Sequence, residues 1–274
     1  MRLNGMITIR ISAMIKRRMM YLKPKVFEKE YRIPYYLSDR YETITLPNLM
    51  SVLIEVSGEQ TQIVSKHPVE ERGLHWIIIQ YDIQVNRMPK ANETIQIKTF
   101  AKEFNRFFSY REFEVYDEEG NLLVYVMTVF ALMDDNRKLS RIPAEIGKDY
   151  GSEEARRIKR MPKPEAIQNI DEAKRKDFNV SYFDIDINFH ANNANYFLWM
   201  LDALGDEFLA THSPSEGNVV FEKEIQIGEA VESYVEFNVD ENDTLISKHR
   251  VQVGDIVKCT ASFKWKDNGH KYHI

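Results

Sequence analysis

Residues 183–200 read FDIDINFHANNANYFLWM, a stretch in which polar side chains lead directly into an apolar helix signal. The acidic, amide and imidazole side chains stand at Asp184, Asp186, Asn188 and His190. Asn192 follows as a suitable N-cap, because its side chain can accept a hydrogen bond from a free backbone N–H. The stretch therefore predicts a helix whose amino end carries an unusual concentration of polar groups.

The apolar pattern of this helix occurs twice in the chain. The positions that recur with helical spacing in the second copy are Ala194, Phe197, Leu198, Leu201, Phe208 and Leu209. Those of the first copy are Leu49, Val52, Leu53, Val56, Ile63 and Val64. Each set marks one face of a helix, and Pro47 suits the first turn of the earlier helix.

Each helix is followed by four strand-like runs that are rich in β-branched and aromatic residues. The runs of the first copy cover residues 75–85, 93–104, 107–117 and 122–134. Those of the second copy cover residues 218–228, 230–240, 245–255 and 256–267. The chain is thus predicted to be an α+β tandem, in which each half wraps an antiparallel sheet around a long helix. Edge-to-edge pairing of the two sheets would leave fewer exposed edges.

Composition limits the class of protein. The chain has 274 residues and is 43% hydrophobic, which predicts a folded core rather than disorder. Its net charge of −5 argues against a general nucleic-acid binder. No apolar run approaches the roughly 18 residues that a membrane span needs. The single cysteine, Cys259, excludes an internal disulfide and favours a reducing, cytoplasmic location.

Residues 1–25 form a basic leader without acidic residues. Arg10 interrupts its apolar stretch, and the basic cluster follows that stretch, which is the reverse of the order in a secretory signal. We expect a disordered extension, with Met19 or Met20 as an alternative start of the chain. A transit peptide is the competing interpretation.

An extended strand over residues 186–190 would place Asp186, Asn188 and His190 on one face. These groups, next to the free N–H groups of a helix start, can bind a polarised carbonyl. A calcium loop is disfavoured because Phe189 stands where such a loop needs glycine, and zinc would need more ligands than His190. We therefore expect neither a metal nor a cofactor. Helix capping would explain Asn192 or Asn193 but not the whole triplet.

The two copies can be aligned by their helix patterns. Asp39 then falls opposite Asp184, and Thr45 falls opposite His190. On this alignment the first copy keeps the scaffold and lacks the triplet. We therefore expect one active site per chain, in the second half, while the first half holds a substrate tail.

Three stretches resemble the acyl-acyl-carrier-protein thioesterases of plants and bacteria. DIDINFHANNANYFLWM at 184–200 resembles the family signature of Asp-x-Asn-x-His, a hydrophobic residue, two asparagines and an aromatic-rich helix start. MDDNRKLSRIP at 133–143 and IQVNRMPKANETIQI at 83–97 are similar to further parts of the family. The resemblance covers nearly the whole chain from residue 27 onward, and it implies two tandem hot-dog domains that hydrolyse a fatty acyl thioester.

The resemblance also implies the site residues. Asp186, Asn188 and His190 match the catalytic loop of the family, and Glu224 matches an acidic residue on the next strand. The family usually has a cysteine after that acid, whereas Ile225 stands here, which counts against a thiol nucleophile. We therefore expect attack by water, with either Glu224 or Asp186 as the general base.

Helix-start groups complete the predicted site. We expect Asn192 and Asn193, with the N–H groups of the helix start, to support the oxyanion. On this interpretation residues 26–148 form an N-terminal hot-dog domain with the acyl-chain cavity, 149–176 a charged linker, and 177–274 the catalytic C-terminal domain.

The predicted partner is an acyl carrier protein that carries a fatty acyl chain. Basic residues at 136–141, 156–160 and 174–176 would steer such an acidic partner. An acyl-CoA thioesterase and a non-catalytic acyl-thioester sensor are the alternative functions. Association into a homodimer is left open.

Overall fold

The structure is a computed structural model that describes residues 23–272. Of the predicted leader, residues 1–22 therefore lie outside the described residues. The main elements of the first half are β1 (Phe27–Arg32), α1 (Leu46–Val64), β2 (Leu74–Val85), β3 (Thr94–Phe104), β4 (Phe108–Tyr116) and β5 (Leu122–Asp134). Short elements close this half, namely β6 (Leu139–Ser140), α2 (Ala144–Asp149) and β7 (Glu153–Glu154).

The second half repeats this order. Its elements are β8 (Lys174–Asn179), α3 (Asn193–Asp202), α4 (Asp206–Thr211), β9 (His212–Phe221), β10 (Ala230–Val239), β11 (Leu245–Val253) and β12 (Ile256–Asp267). Each half thus has a helix and a sheet of five long strands, as the repeated sequence pattern predicts.

One continuous sheet joins the two halves. Its main path runs β1-β3-β4-β5-β2-β9-β12-β11-β10-β8, and every pair on this path is antiparallel. The central pair is β2 with β9, where Gln80 to Gln84 lie opposite Val220 to Glu216. The predicted edge-to-edge pairing of the two sheets is therefore confirmed.

The two helices pack on the same face of this sheet and contact each other. Leu49 and Leu53 of α1, and Phe197 and Met200 of α3, are fully buried in one core that spans both halves. The predicted caps are also present: Pro47 lies in the first turn of α1, and the Asn192 side chain accepts a hydrogen bond from Ala194 N–H. Burial of the two helical stripes against the sheet is thus what holds the tandem together.

The helix predicted over residues 194–209 is wrong in its length. Helix α3 ends at Asp202, and α4 begins at Asp206. Gly205 lies between them with a φ of 97°, a backbone conformation that glycine adopts without a steric cost. The apolar spacing therefore continues across a break in the helix.

The strand predicted over residues 218–228 is shifted. Strand β9 begins at His212 and ends at Phe221, so Glu224 lies in the connection that follows. Pro214 lies outside the part of β9 that pairs with β2, which covers residues 216–220, and its partner Trp265 on β12 adjoins an irregularity in the register.

The charged segment between the halves crosses the outer face of the sheet, away from the helices. Met161 packs against the outer cluster around Tyr110, and Pro162 accepts a hydrogen bond from Gln80. Further along, Glu165 N–H donates to Ser262 Oγ. Lys174–Lys176, assigned to the linker by their charge, are instead the start of β8 and pair with β10.

Candidate active site

The segment predicted to be an extended strand is a tight turn. Asp186 N–H donates to His190 O over 3.0 Å, and Phe189 N–H donates to Asp186 O over 3.0 Å. Phe189 adopts a φ of 64°, and Ile185 pairs with Ala191 across the turn. The prediction that Asp186, Asn188 and His190 share one strand face is therefore wrong, because the chain reverses between them.

The turn nevertheless brings the predicted groups together. His190 lies between two carboxylates: its Nδ1 is 3.9 Å from Asp186 Oδ1, and its Nε2 is 3.7 Å from Glu224 Oε1. Asn188 lines the same cavity, and its N–H donates to Asp186 Oδ1 over 2.8 Å. Both distances from the imidazole nitrogens exceed the length of a direct hydrogen bond. Catalytic contacts of this kind commonly tighten only when substrate is bound.

Glu224 reaches the turn because the loop after β9 is fixed to it. Ala191 N–H donates to Ile225 O over 2.9 Å, which connects the two loops directly after His190 and Glu224. The buried Lys258 donates from Nζ to Glu224 O over 2.8 Å and also contacts the Glu229 carboxylate. The backbone of Glu224 is thus fixed by these hydrogen bonds, although Glu224 lies outside the strands.

The two asparagines at the start of α3 already have structural partners. Asn192 Oδ1 accepts from Ala194 N–H over 2.9 Å, and Asn193 Nδ2 donates to Tyr81 Oη over 2.7 Å. The first turn of α3 still directs backbone N–H groups and the positive end of the helix dipole toward the site. Support of an oxyanion by Asn192 and Asn193 stays a prediction.

Sequence reasoning missed Arg137 as a residue of the site. Arg137 lies on the turn between β5 and β6, in the first half, and its Nη1 forms an ion pair with Glu224 Oε2. Its position in the basic run at 136–141 predicts contact with the partner protein instead. The only signal was a positive charge near the end of the first half, and spacing along the chain could not place it against Glu224.

The turn of the second half has an exact counterpart in backbone hydrogen bonding in the first half. Asp39 N–H donates to Thr43 O, and Glu42 N–H donates to Asp39 O, with Glu42 at a φ of 60°. Asp39 is therefore equivalent to Asp186, and Thr43 to His190. The predicted alignment, Asp39 with Asp184 and Thr45 with His190, is wrong by two residues because it followed the helix pattern and not the turn.

The same comparison extends to the glutamate. Ile44 N–H donates to Pro89 O, as Ala191 N–H donates to Ile225 O, so Met88 occupies the place of Glu224. The first half thus keeps the aspartate of the turn, but has no imidazole or second carboxylate at the equivalent positions.

A cavity of about 1470 Å³ opens beside the polar groups and extends into the first half. Its lining there is largely apolar and includes Ile54, Trp76, Phe104, Phe130, Ile142 and Ile146. In the second half the corresponding interior is filled, because Phe263 packs against Phe197 and Trp265. The cavity therefore lies between the halves: the second half lines the end that carries the polar cluster, and the first half lines the apolar end.

Cys259 lies on β12 and is not among the residues that line the cavity. Its side chain is fully buried, and burial raises the pKa of the thiol well above its ordinary value. A protonated, inaccessible thiol is a poor nucleophile. Its position agrees with the interpretation of Cys259 as a small core residue.

Two helices wrapped by antiparallel sheets that fuse through their central strands define a tandem hot-dog protein. A family model described as the acyl-ACP thioesterase N-terminal domain matches residues 24–150, and one described as the C-terminal domain matches residues 167–267. The chain belongs to the acyl-ACP thioesterase family.

Solved structures agree with this assignment. The crystal structure titled as a putative oleoyl thioesterase from Lactobacillus plantarum is 31% identical, covers 89% of this chain and 97% of that chain, and has a TM-score of 0.85. The 12:0-ACP thioesterase from Umbellularia californica is 19% identical, covers 89% of this chain and 94% of that chain, and has a TM-score of 0.79, which supports the fold.

Curated relatives are more distant in sequence. A chloroplastic acyl-[acyl-carrier-protein] hydrolase from Cuphea viscosissima is 25% identical over 204 residues, which cover 68% of this chain and 49% of the relative. The chain thus spans about half the length of the first such relatives. Within residues 23–272, no helix has the length and hydropathy needed to cross a membrane.

Proposed function

We propose that the chain hydrolyses the thioester between a fatty acyl group and an acyl carrier protein, releasing the free fatty acid and ending chain elongation. The position of His190 supports this most directly, because it lies between Asp186 and Glu224 at one end of a largely apolar cavity. Such a cavity suits an acyl chain, and the polar cluster suits hydrolysis of the bond beside it.

The first half supplies the acyl-chain cavity. Its lining by Trp76, Phe104 and Phe130 offers an apolar surface to the hydrocarbon, while in the second half Phe263 packs against Phe197 in the interior. The reacting carbonyl would then lie near His190 and Glu224, with the acyl tail directed toward the first half. This division assigns substrate length to one half and chemistry to the other.

Water is the nucleophile in the proposed reaction. Glu224 accepts a proton as the water oxygen attacks the thioester carbonyl carbon. Asn188, His190 and the N–H groups at the start of α3 stabilise the negative charge that develops on the carbonyl oxygen. The carbon–sulfur bond then breaks, and the proton passes to the leaving thiolate, so the products are a fatty acid and a thiol. Asp186 orients His190 in this scheme; Asp186 as the base is the alternative.

Substitution of the carboxylates tests this mechanism. Glu224→Gln and Asp186→Asn should each lower kcat by roughly a hundredfold or more, the usual contribution of a general acid or base. Glu222→Gln is a matched control, because Glu222 is exposed in the same loop. The mechanism is wrong if both site variants retain near-full turnover while circular dichroism shows that they are folded.

The substrate carrier is tested separately. Fatty acid release would be measured from acyl-carrier-protein thioesters and from acyl-CoAs of the same chain lengths. Turnover of only the CoA esters would favour an acyl-CoA thioesterase. Binding of acyl thioesters without turnover would favour the non-catalytic sensor. The cytoplasmic location and the absence of a nucleic-acid partner stay predictions. Association into a homodimer stays open.

A further inference from the structure

The ion pair between Arg137 and Glu224 joins the two halves of the chain at the candidate base. Arg137 belongs to the β5–β6 turn of the first half, and Glu224 to the loop after β9 in the second. The two residues are 87 positions apart in the sequence, so their contact depends on the tandem arrangement and not on local structure.

The turn around Arg137 is built to direct this side chain. Asp134 Oδ1 accepts from the N–H groups of Asn136 and Lys138, each over 2.9 Å. Arg137 N–H donates to Asp134 O over 2.9 Å, and Arg137 itself has a φ of 60°. A residue other than glycine rarely adopts this conformation without support from its surroundings. The backbone at Arg137 is therefore fixed by several hydrogen bonds.

Glu224 has few other cationic neighbours. His190 Nε2 lies 3.7 Å from Oε1, whereas Arg137 pairs with Oε2. Lys258 is directed elsewhere, because its Nζ bonds to the Glu224 backbone oxygen and to Glu229. Arg137 therefore meets the Glu224 carboxylate from the first half, while its own side chain stays 57% exposed. A guanidinium is a planar cation with several N–H donors, so it suits contact with a carboxylate.

We infer that Arg137 is a positioning residue for Glu224, so that the first half completes the catalytic site of the second. This inference rests on the proposed hydrolysis with Glu224 as base. Arg137 orients one carboxylate oxygen and leaves the other beside His190, where a water molecule would be activated. The role differs from the steering of a carrier protein, which the basic sequence around Arg137 had suggested.

Kinetics on two substrates separate these roles. Arg137→Ala should lower kcat by roughly ten- to a hundredfold, because a positioned carboxylate supplies much of a general-base contribution, and should leave KM nearly unchanged. The loss should be equal for an acyl-carrier-protein thioester and for the same acyl group on N-acetylcysteamine, which has no carrier protein. Asp135→Asn, in the same turn, should leave kcat unchanged, because Asp135 is exposed and has no part in the site.

Two further variants test the chemistry of the side chain. Arg137→Lys should restore part of kcat, since it restores the charge without the planar pair of donors. Methylguanidinium, added far below denaturing concentrations, should raise kcat of Arg137→Ala but not of Asp135→Asn. Arg137→Ala combined with Glu224→Gln should be no slower than Glu224→Gln alone, because both changes act on one interaction.

The opposite results would overturn the inference. A rise in KM for the carrier-protein substrate, with kcat intact, would make Arg137 a docking residue. An unchanged kcat on both substrates would leave the contact without a catalytic role. The pair is also measurable without turnover. In urea unfolding, the two single variants and the double variant should show changes in the free energy of unfolding that are not additive. Additive changes in the free energy of unfolding would contradict the pairing itself. Absence of thioester hydrolysis by the wild type would count against the proposed function instead.

Discussion

Asp39 and Asp186 hold the same turn in the two halves of the chain. Asp39 Oδ1 accepts from Tyr41 N–H over 2.8 Å, as Asp186 Oδ1 accepts from Asn188 N–H over 2.8 Å. Only Asp186 has an imidazole beside it, since Thr43 stands where His190 stands in the second half. The aspartate thus has the same structural role in both halves, and a catalytic role is proposed only for Asp186.

This relationship provides an internal control for the role of Asp186. Asp186→Asn should lower kcat by roughly a hundredfold through loss of the charge beside His190. Asp39→Asn should change kcat by less than about twofold, because asparagine keeps the turn-forming acceptor and no reacting group lies nearby. Both are measured by initial rates and thermal unfolding. Equal losses of activity in the two variants would show that Asp186 acts only through the turn.

Gly58 offers a test of the acyl-chain cavity. It lies within α1 and lines the cavity, and an added Cβ would meet no atom within 4 Å. Gly58→Leu should lower turnover of the longest acyl chains by tenfold or more, on the order of the discrimination a few methylenes provide, while short chains are unaffected. Gly58→Ala should keep the chain-length profile and stabilise α1 by about 0.5–1 kcal/mol. If Gly58→Leu left the chain-length profile unchanged, the acyl chain would bind elsewhere in the protein.

The basic residues differ in how freely their side chains could contact an acyl carrier protein. Lys174 donates to Leu204 O, and Lys176 pairs with Asp202, so residues 174–176 are largely engaged. Arg156 and Arg157 begin the segment that crosses the outer face of the sheet. Lys138 and Arg141, by contrast, are exposed beside Arg137 near the site. These two are therefore the better candidates for docking an acidic partner.

Charge reversal should separate the two regions. Lys138→Glu with Arg141→Glu should raise KM for acyl-carrier-protein substrates about tenfold at low salt, with a smaller effect at high salt. Arg156→Glu with Arg157→Glu is the matched control and should change KM by less than about twofold. If instead the control pair alone raised KM, the carrier protein would dock on the outer face.

His249 predicts how stability depends on pH. It is fully buried, its Nε2 contacts Ser247 Oγ at 2.7 Å, and burial lowers the pKa of its imidazole from 6.5 to about 3. The unfolded chain therefore binds a proton before the folded chain does, and stability falls as pH drops from about 6.5 toward 3. At pH 5 the expected loss from this residue is about 2 kcal/mol.

Urea unfolding at pH 7.5 and pH 5 measures this effect. His249→Gln should show a smaller loss of unfolding free energy between the two pH values than the wild type does. His75→Gln is the control, because His75 is exposed on the surface beside Asp135. An identical pH dependence in His249→Gln and the wild type would show that other groups account for the loss.

The sequence predicts the tandem fold because hydrophobic periodicity and turn residues repeat in both halves. It also predicts which residues meet at the site, although for a wrong reason. The alternation of Asp186, Asn188 and His190 indicated a strand, whereas hydrogen bonds within the segment fold it into a turn. The local sequence pattern cannot distinguish a strand from a turn here, because alternating polar residues are compatible with both structures.

Contacts between the halves lie beyond what sequence spacing can predict. The pairing of Arg137 with Glu224 depends on how β2 meets β9, which brings the β5–β6 turn of one half over the loop of the other. Likewise, the cavity depends on how side-chain volumes fill the interior in three dimensions. The sequence alone does not show that Phe263 packs in the interior of the second half.

The pairing of β2 with β9 within a single polypeptide also frees the two halves from symmetry. In an assembly of identical subunits, each substitution would appear at both sites and would have to be tolerated twice. Here Met88 can replace the carboxylate found at Glu224, and Phe263 can fill an interior that its counterpart leaves open, without altering the other half. A single polypeptide that carries both halves thereby allows the residues of each half to change independently of those of the other.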